Sequence, residues 1–521
     1  MRSQNSIKNT IVSMIMSVVT ILIGLVTQKI FIKILGTEYL GLNGLFSNIL
    51  SMLSIAELGI GSAIIYSLYK PIADNDKEKI KSLVEFYKKS YRIIAVIVTI
   101  IGICIIPFLD KIVGKTDIQE KIILLYMLFL IDTVVSYLLT YKRSILYASQ
   151  KTYIINIVHI LYLILMNSLQ ILMLTLTKNY TLYLLIKIIF RIIENVVITQ
   201  IANKMYPYLK EKKIIKLDKN STNSIIKKVK GLLFHKIGWF LVLGTDNIII
   251  SSFFGVSAVG LYTNYNMIIQ AVDNLFGQVF SSITSSVGNL LIEEDKKKSY
   301  MIYKDMVFVN FFMYSFAAIA IMNMMEIFIT IWIGKQYLLS YSVLVILSIN
   351  FYIQGMRKTS NTFKEAAGIF HEDRYVPLIE SAVNIIASIV CLKIWGLGGV
   401  FIGTIISSLV LFLYSYPIFV YKKLFDRTYW QFIKEQVKYL LIFIFSSIVT
   451  ASIIKNIRFT NNFMQLIVNG IIVVIVPNLI HYLIFRNSEE FKYVKNMLLN
   501  TFSKFKQNIS RNKKENLWAQ K

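Results

Sequence analysis

Runs of roughly 20 apolar residues, the length a helix needs to cross about 30 Å of hydrocarbon, recur along the whole 521-residue chain. They place fourteen spans, near 10–35, 40–68, 91–109, 120–146, 152–177, 181–203, 231–253, 261–291, 304–333, 340–366, 376–395, 398–420, 437–455 and 462–485. Inside lipid each such segment must satisfy its own backbone N–H and C=O groups, so these runs are helices. Hydrophobic residues at 55% against 16% charged, with mean hydropathy +0.60, leave too little polar surface for a soluble chain of this length. The expected fold class is therefore all-α integral membrane with about 14 transmembrane helices. The N-terminal MRSQNSIKNT leads into an apolar run too long for a signal-peptide core and without a clear small-residue cleavage site, so the first helix is expected to stay.

The connections alternate in character. One set is short and nearly neutral (GTEY, TKNYT, GKQYLLS, WGLGG); the other is basic, as in EEDKKKSYMIYK and YKKLFDRTYWQFIKEQ. With the basic set, both termini and the span ends adjoining them counted with the cytoplasm, that side carries 44 of the 56 lysines and arginines, the outer side 9, and Lys29, Lys187 and Arg191 are counted within spans. Such a bias is the positive-inside rule. It also explains the net charge of +27 through an anionic inner leaflet, with no nucleic acid as partner. The longest basic stretch, 204–230, reads as a cytoplasmic linker, and 486–521 as a cytoplasmic basic tail. Cys104 and Cys391 lie singly in apolar runs and match neither a disulfide framework nor a metal spacing. No metal site and no catalytic constellation is expected.

A short phrase is written twice. FIKILGTEYLGLNG at 31–44 and ISSFFGVSAVGLYT at 250–263 share G-x4-G-L, with Gly36, Gly41 and Leu42 each 219 residues before Gly255, Gly260 and Leu261. Six spans separate the copies, an even number, so both face the same way: a parallel repeat. The offset carries into the next helices. Ser47, Ser51 and Ser54 correspond to Asn266, Gln270 and Asp273; after a one-residue slip, Asp132, Ser136, Thr140 and Arg143 of span four correspond to Asn350, Gln354, Lys358 and Asn361 of span ten. Each set lies on one helical face. The expected architecture is two six-helix lobes, 1–203 and 231–420, followed by two extra C-terminal helices over 421–485. Polar faces in lipid must meet protein or water, so the lobes should enclose a wet lumen.

Ionisable side chains deep in the membrane cost roughly 2.5–3.5 kcal/mol on insertion scales and each needs a reason. Local pairing or snorkelling suits Lys33, His159, His235 and Lys236, and a hydrogen-bonded structural role suits His481. Lys29, Lys187 and Arg191 lie deeper; Arg191 and Glu194 are spaced to neutralise each other, which leaves Lys187 in excess. Arg143 beside Asp132, and Arg357 with Lys358, extend the polar faces of spans four and ten. The six cations Lys29, Arg143, Lys187, Arg191, Arg357 and Lys358 form the expected substrate-binding set, suited to a phosphate or diphosphate. The carboxylates Glu57, Asp132, Glu194, Asp246, Asp273 and Glu326 are candidates for coupling to H⁺ or Na⁺, with Asp246 and Glu57 the first choices. No other cofactor is expected.

LGTEYLGLNGLFSNILSMLSIAELGIGSAIIYSLY, TDNIIISSFFGVSAVGLY, and AAGIF followed by Asn384 carry a resemblance. Over about residues 5–485 the chain resembles the polysaccharide transport (oligosaccharide flippase) branch of the multidrug/oligosaccharidyl-lipid/polysaccharide exporter superfamily. The resemblance implies a two-lobe carrier in a bacterial cell membrane that moves an undecaprenyl-diphosphate-linked oligosaccharide to the outer leaflet by alternating access, often ion-coupled. It implies a polyprenyl-diphosphate-linked glycan, membrane lipids and other polysaccharide-assembly proteins as partners. The lipid II flippase branch carries two extra helices that form a groove for the prenyl tail, and spans thirteen and fourteen are expected to do likewise. The cationic set itself comes from charge and depth, since the family has no universal substrate-site motif.

Other functions fit less well. A lipid II or sporulation-type flippase would share the fold. A drug or cation antiporter would want a negative lumen. A membrane polymerase or ligase would be expected to carry a large outer loop with catalytic residues, whereas the outer connections here are short. VGKT at 113–116 lacks the first glycine of a P-loop, Leu109 standing in its place, and GLGG at 396–399 is too short for a dinucleotide fingerprint.

Overall fold

The computed structural model describes residues 2–53, 57, 60–211, 217, 222–223, 225–226, 244–369, 372–497 and 499. Ser54, His235, Lys236, most of the 204–230 linker and all of the tail after 499 lie outside the described residues. The described residues form helices and no strand. In chain order these are α1 (Arg2–Leu35), α2 (Thr37–Leu53), α3 (Ile60–Ala73), α4 (Lys77–Ile105), α5 (Leu109–Val113), α6 (Ile122–Tyr137), α7 (Arg143–Ala148), α8 (Thr152–Thr177) and α9 (Tyr180–Met205). Then come α10 (residues 244–254), α11 (Val256–Glu293), α12 (Lys296–Trp332), α13 (Tyr341–Ala366), α14 (Val376–Trp395), α15 (Leu397–Val410), α16 (Lys423–Phe425), α17 (Tyr429–Asn456) and α18 (Asn462–Phe485).

Ten of the described helical segments are long and apolar enough to cross a membrane. The remaining expected spans are the polar or incompletely described ones: α2 with α3, α9 with its Lys187, Arg191, Glu194 and Lys204, α10, and α13 with Arg357 and Lys358. α4 begins at Lys77, so much of the basic segment after span two is the helix's own first turns, capped by the Asp76 carboxylate accepting from the Lys79 N–H at 2.9 Å.

The chain divides into two units. Unit 1 joins Met1–Ala271 to Trp332–Leu339 and Phe370–Ser407; unit 2 comprises Val272–Ile331, Ser340–Ile369 and Ser408–Lys521.

Within unit 1, α1, α8, α9 and α6 pack in succession, and α2 and α4 pack on α6. The two copies of the glycine phrase meet here. Gly36 (φ 90°) and Gly255 (φ 80°) both leave their helices in the left-handed region that disfavours any Cβ. Gly41 lies against the Val256 carbonyl, and Gly260 against that of Thr37, each too close for a Cβ. Thr37 and Val256 are themselves equivalent under the 219-residue offset. Gly44 faces Thr263, its own equivalent, where a Cβ would meet Oγ1 at 2.6 Å. A residue that touches its own counterpart lies beside the symmetry axis, so the repeat's axis passes between Gly44 and Thr263.

Span four is not the continuous helix that its polar face suggested. α6 ends at Tyr137, Leu138 is extended, Leu139 adopts φ 68°, and a single 3₁₀ turn over Thr140–Lys142 leads into α7. A left-handed leucine is costly, and a break inside the membrane frees carbonyls. Asn195 of α9 satisfies them, its Nδ2 donating to the oxygens of Val135 and Leu138, each at 3.2 Å. The face shared by Asp132, Ser136, Thr140 and Arg143 is therefore turned at residue 139, and Arg143 leaves Asp132 for other partners.

In unit 2, α17 packs on α18. The Gly355 position on α13 admits the Tyr314 ring, and Asn310 Nδ2 donates to the Gly355 carbonyl at 3.0 Å. After α15 the chain continues as a π-helix over Leu411–Lys422 that contains Pro417, a residue without the N–H a regular helix would use. His481 is buried between Phe311 and Phe312, with centroids 4.9 and 5.0 Å away. Neither of its ring nitrogens has a hydrogen-bond partner among the described residues, where aromatic packing holds the ring.

Candidate functional site: a charged cluster on four helices

The deepest group of charges in unit 1 is built on α6, α7, α8 and α9. Asp132, 8% exposed, accepts from Lys187 Nζ at 3.1 Å on Oδ2 and from Arg191 Nε at 3.4 Å on Oδ1. Lys187 and Arg191 stand one turn apart on α9, so one carboxylate on α6 reaches both. Glu194, on the next turn, is completely buried and faces three groups: His159 Nδ1 at 2.9 Å, Arg143 Nη2 at 3.2 Å and Arg191 Nη1 at 3.7 Å. Arg143 also donates to Asn195 Oδ1 at 2.8 Å, which ties the cluster to the break in span four. Lys187 lies over the Phe129 ring (5.1 Å) and Arg191 over Tyr162 (5.5 Å), on which His159 also stacks. Aromatic faces support these cations where carboxylates do not.

One sequence expectation changes: Lys187 is not left unpaired, because Asp132 accepts from it. Arg143, beyond the turn at Leu139, pairs with Glu194. Three permanent cations still face two carboxylates, and the side chains of Lys187 and Arg191 remain 26% and 24% exposed. His159, read from sequence as a bystander, belongs to the cluster. So does Asn195, whose only signal was an amide in an apolar stretch beside Glu194.

Unit 2 holds a second group. Lys358 Nζ stands 3.0 Å from Asp273 Oδ2, and Tyr314 donates to Asp273 Oδ1 at 2.8 Å. Arg357 donates to Gln354 Oε1 at 2.7 Å and lies 3.4 Å from both Ser408 Oγ and Tyr416 OH. Tyr416 in turn donates to Asn361 Oδ1 at 3.0 Å. The four residues matched by offset to span four thus sit on one continuous helix, where Gln354, Lys358 and Asn361 are all hydrogen-bonded.

The other candidates lie apart. Lys29 is exposed on α1, continuing the exposed stripe of Val18, Leu22 and Val26; it has no ion pair among the described residues. Glu57 accepts from Tyr91, which itself accepts from Tyr87 at 2.9 Å. Glu326 is half-buried in α12 and has no ion pair among the described residues. Asp246 on α10 is buried, with Thr404 Oγ1 at 3.3 Å from Oδ2. Asn384 Nδ2 donates to Thr404 Oγ1 at 3.1 Å, and Thr245 donates to Asn384 Oδ1 at 3.2 Å. No cationic side chain pairs with Asp246 among the described residues; the hydrogen bonds around it come from hydroxyl and amide groups. Thr404 was not singled out in the sequence, although a threonine within GVFIGTIISS is the kind of polar break that marks such a partner.

The sequence profile of one family, described as polysaccharide biosynthesis protein, matches residues 6–287, more than half of the chain. The chain belongs to that family. Its fold is similar to that of solved membrane transporters. A lipid II flippase, MurJ, in an inward closed conformation is similar with TM-score 0.68 and 16% identity, covering 92% of this chain and 99% of that one. An inward-facing multidrug resistance MATE transporter of the MOP superfamily gives TM-score 0.56 at 16% identity, covering 75% and 91%. A point mutant of the Vibrio cholerae MATE transporter VcmN gives 0.53 at 14%, covering 78% and 94%. No curated protein matches the chain. Ten described helical segments of membrane-crossing length and apolarity, in this shared fold, make it a multi-pass membrane protein.

Proposed function

We propose that the protein flips an undecaprenyl-diphosphate-linked oligosaccharide from the cytoplasmic to the outer leaflet of a bacterial cell membrane by alternating access. The charge bias of the connections supports cytoplasmic termini. The observation that carries this reading is the cluster on Asp132, Lys187, Arg191, Glu194 and Arg143, where cations outnumber carboxylates. Asp132 serves as a resident counter-ion that makes Lys187 and Arg191 tolerable in a membrane while the site is empty. A diphosphate carries more charge and more acceptor oxygens than one carboxylate, and Arg191 can bond two of them at once. It therefore competes with Asp132 for Lys187 and Arg191 without leaving either cation bare. The hydroxyl and amide side chains of the polar faces suit sugar. Translocation draws on an H⁺ or Na⁺ gradient through a buried carboxylate, with Asp246 the leading choice. No step requires covalent chemistry on the substrate.

The test is flipping of a purified lipid-linked oligosaccharide in proteoliposomes, read by accessibility of the glycan to an added lectin. Lys187→Gln and Arg191→Gln should each slow flipping at least tenfold at wild-type protein level, whereas Lys296→Gln, in an exposed pair with Asp426, should not. Wild-type rates in both cluster variants would overturn the assignment.

A further inference from the structure

A second set of cations in unit 1 is not balanced by carboxylates. Lys142 closes the 3₁₀ turn after the break in span four and is only 8% exposed. Its Nζ donates to the side-chain oxygen of Asn203, near the end of α9, and lies 5.9 Å from the centroid of the Tyr141 ring. Lys88 Nζ lies 5.8 Å from the same centroid. Lys88 has one carboxylate, Glu85 at 3.2 Å. Lys142 has none among the described residues, and Lys210 ends a 3₁₀ turn, Pro207–Lys210, that follows α9 and packs on α4. Lys210 also has no ion pair among the described residues. The neighbouring Arg143 turns the other way, to Glu194 and Asn195, so this group is distinct from the charged cluster.

A buried ammonium costs several kcal/mol unless an opposite charge accompanies it, and an amide oxygen is only a dipole. Two further lysines nearby increase the cost. An anion with several acceptor oxygens would satisfy all three lysines at once. The setting fits the depth of lipid headgroups. The site joins the first turns of α4 to the last turn of α9, where Tyr206 and Tyr208 stand beside Lys151 (5.2 Å) and Lys77 (6.0 Å). Tyrosine and lysine together mark the membrane–water boundary, and anionic headgroups are concentrated there on the side rich in basic connections.

We propose that Lys88, Lys142 and Lys210 bind a phosphate-bearing anion at the basic rim of unit 1, supplied either by the headgroup of an anionic phospholipid or by soluble phosphate. This site does not rest on the flippase reading.

The experiment uses the full chain purified in a neutral detergent, with its thermal unfolding midpoint followed against phosphatidylglycerol, phosphatidylcholine and inorganic pyrophosphate. Phosphatidylglycerol should raise the midpoint saturably and phosphatidylcholine should not. In Lys142→Met the apparent affinity should fall about fivefold, the effect of roughly one surface-type lysine contact. Lys210→Gln alters an exposed side chain and leaves folding intact; it should show a similar loss, whereas Lys187→Gln should keep the wild-type response. A shift with phosphatidylglycerol alone assigns the headgroup, and an equal shift with pyrophosphate assigns free phosphate. An equal response to both phospholipids with none to pyrophosphate, or wild-type affinity in both Lys142→Met and Lys210→Gln, would overturn the site.

Discussion

Gly41 lies against the carbonyl of Val256 so closely that residue 41 cannot carry a Cβ, and the repeat-related Gly260 makes the same contact with Thr37. Two helices cross here at backbone distance, as small residues permit in membranes. Gly41→Ala and Gly260→Ala must push backbone apart, an overpacking cost of about 1–3 kcal/mol or more. Gly368 has positive φ (69°) but open space around its missing Cβ, so Gly368→Ala loses only the roughly 1–2 kcal/mol of a left-handed residue. Thermal unfolding in detergent should therefore rank both crossing variants below Gly368→Ala. Equal midpoints for all three would remove the crossing as a stabilising contact.

The break in span four gives a second prediction, with opposite signs at two positions. Leu139 holds φ 68°, so Leu139→Gly should stabilise by about 1 kcal/mol through relief of that strain. Asn195→Leu removes both donors to Val135 and Leu138 and the acceptor for Arg143. Leaving such buried groups unsatisfied costs about 1–3 kcal/mol each, so this variant should unfold well below wild type. A stabilised Asn195→Leu would mean that the break does not depend on its latch.

These positions also show what the sequence could reveal. The spans, the repeat offset and the glycine crossing were legible because each rests on local rules: apolar run length, helical periodicity, and the absence of a side chain. The partners of Lys187 and Arg143 were not. A one-residue departure at Leu139 rotates everything after it, and no glycine or proline near 139 announces the turn. The reason for the break lies on another helix, in Asn195. Lys142 was hidden for the same reason: in the chain it is one more residue of a basic stretch, and only the fold buries it.

The Asp132–Lys187 pair makes a third prediction. Asp132→Asn leaves Lys187 and Arg191 without their shared carboxylate, whereas Lys187→Gln leaves Asp132 with Arg191. The first change should destabilise more, by roughly 2–3 kcal/mol, toward the lower end expected for a broken buried pair because both cations keep some exposure. The double variant should recover part of that loss, since the two changes act on one interaction. Yield and unfolding midpoint of the four proteins complete the cycle. Strict additivity would show that the 3.1 Å contact carries no coupling energy.

Asp246 supports the last prediction. The carboxylate is buried among Thr404, Asn384 and Thr245 with no cationic side chain paired to it among the described residues. A bare buried carboxylate is disfavoured by several kcal/mol, and two partners would relieve it: a bound proton, or a Na⁺ ion held by carboxylate, hydroxyl and amide oxygens. In the proposed ion-coupled cycle, either would make occupancy depend on the driving gradient. In proteoliposomes the wild type should respond to dissipation of ΔpH or of the Na⁺ gradient, applied separately. Asp246→Asn keeps the shape but binds neither ion, so residual flipping should lose that response. Thr404→Val removes one oxygen and should raise the ion concentration needed for half-maximal rate if Na⁺ is the partner, while leaving a ΔpH-driven rate unchanged. Asp246→Asn with wild-type coupling to both gradients would exclude this carboxylate and turn attention to Glu57 and Glu326.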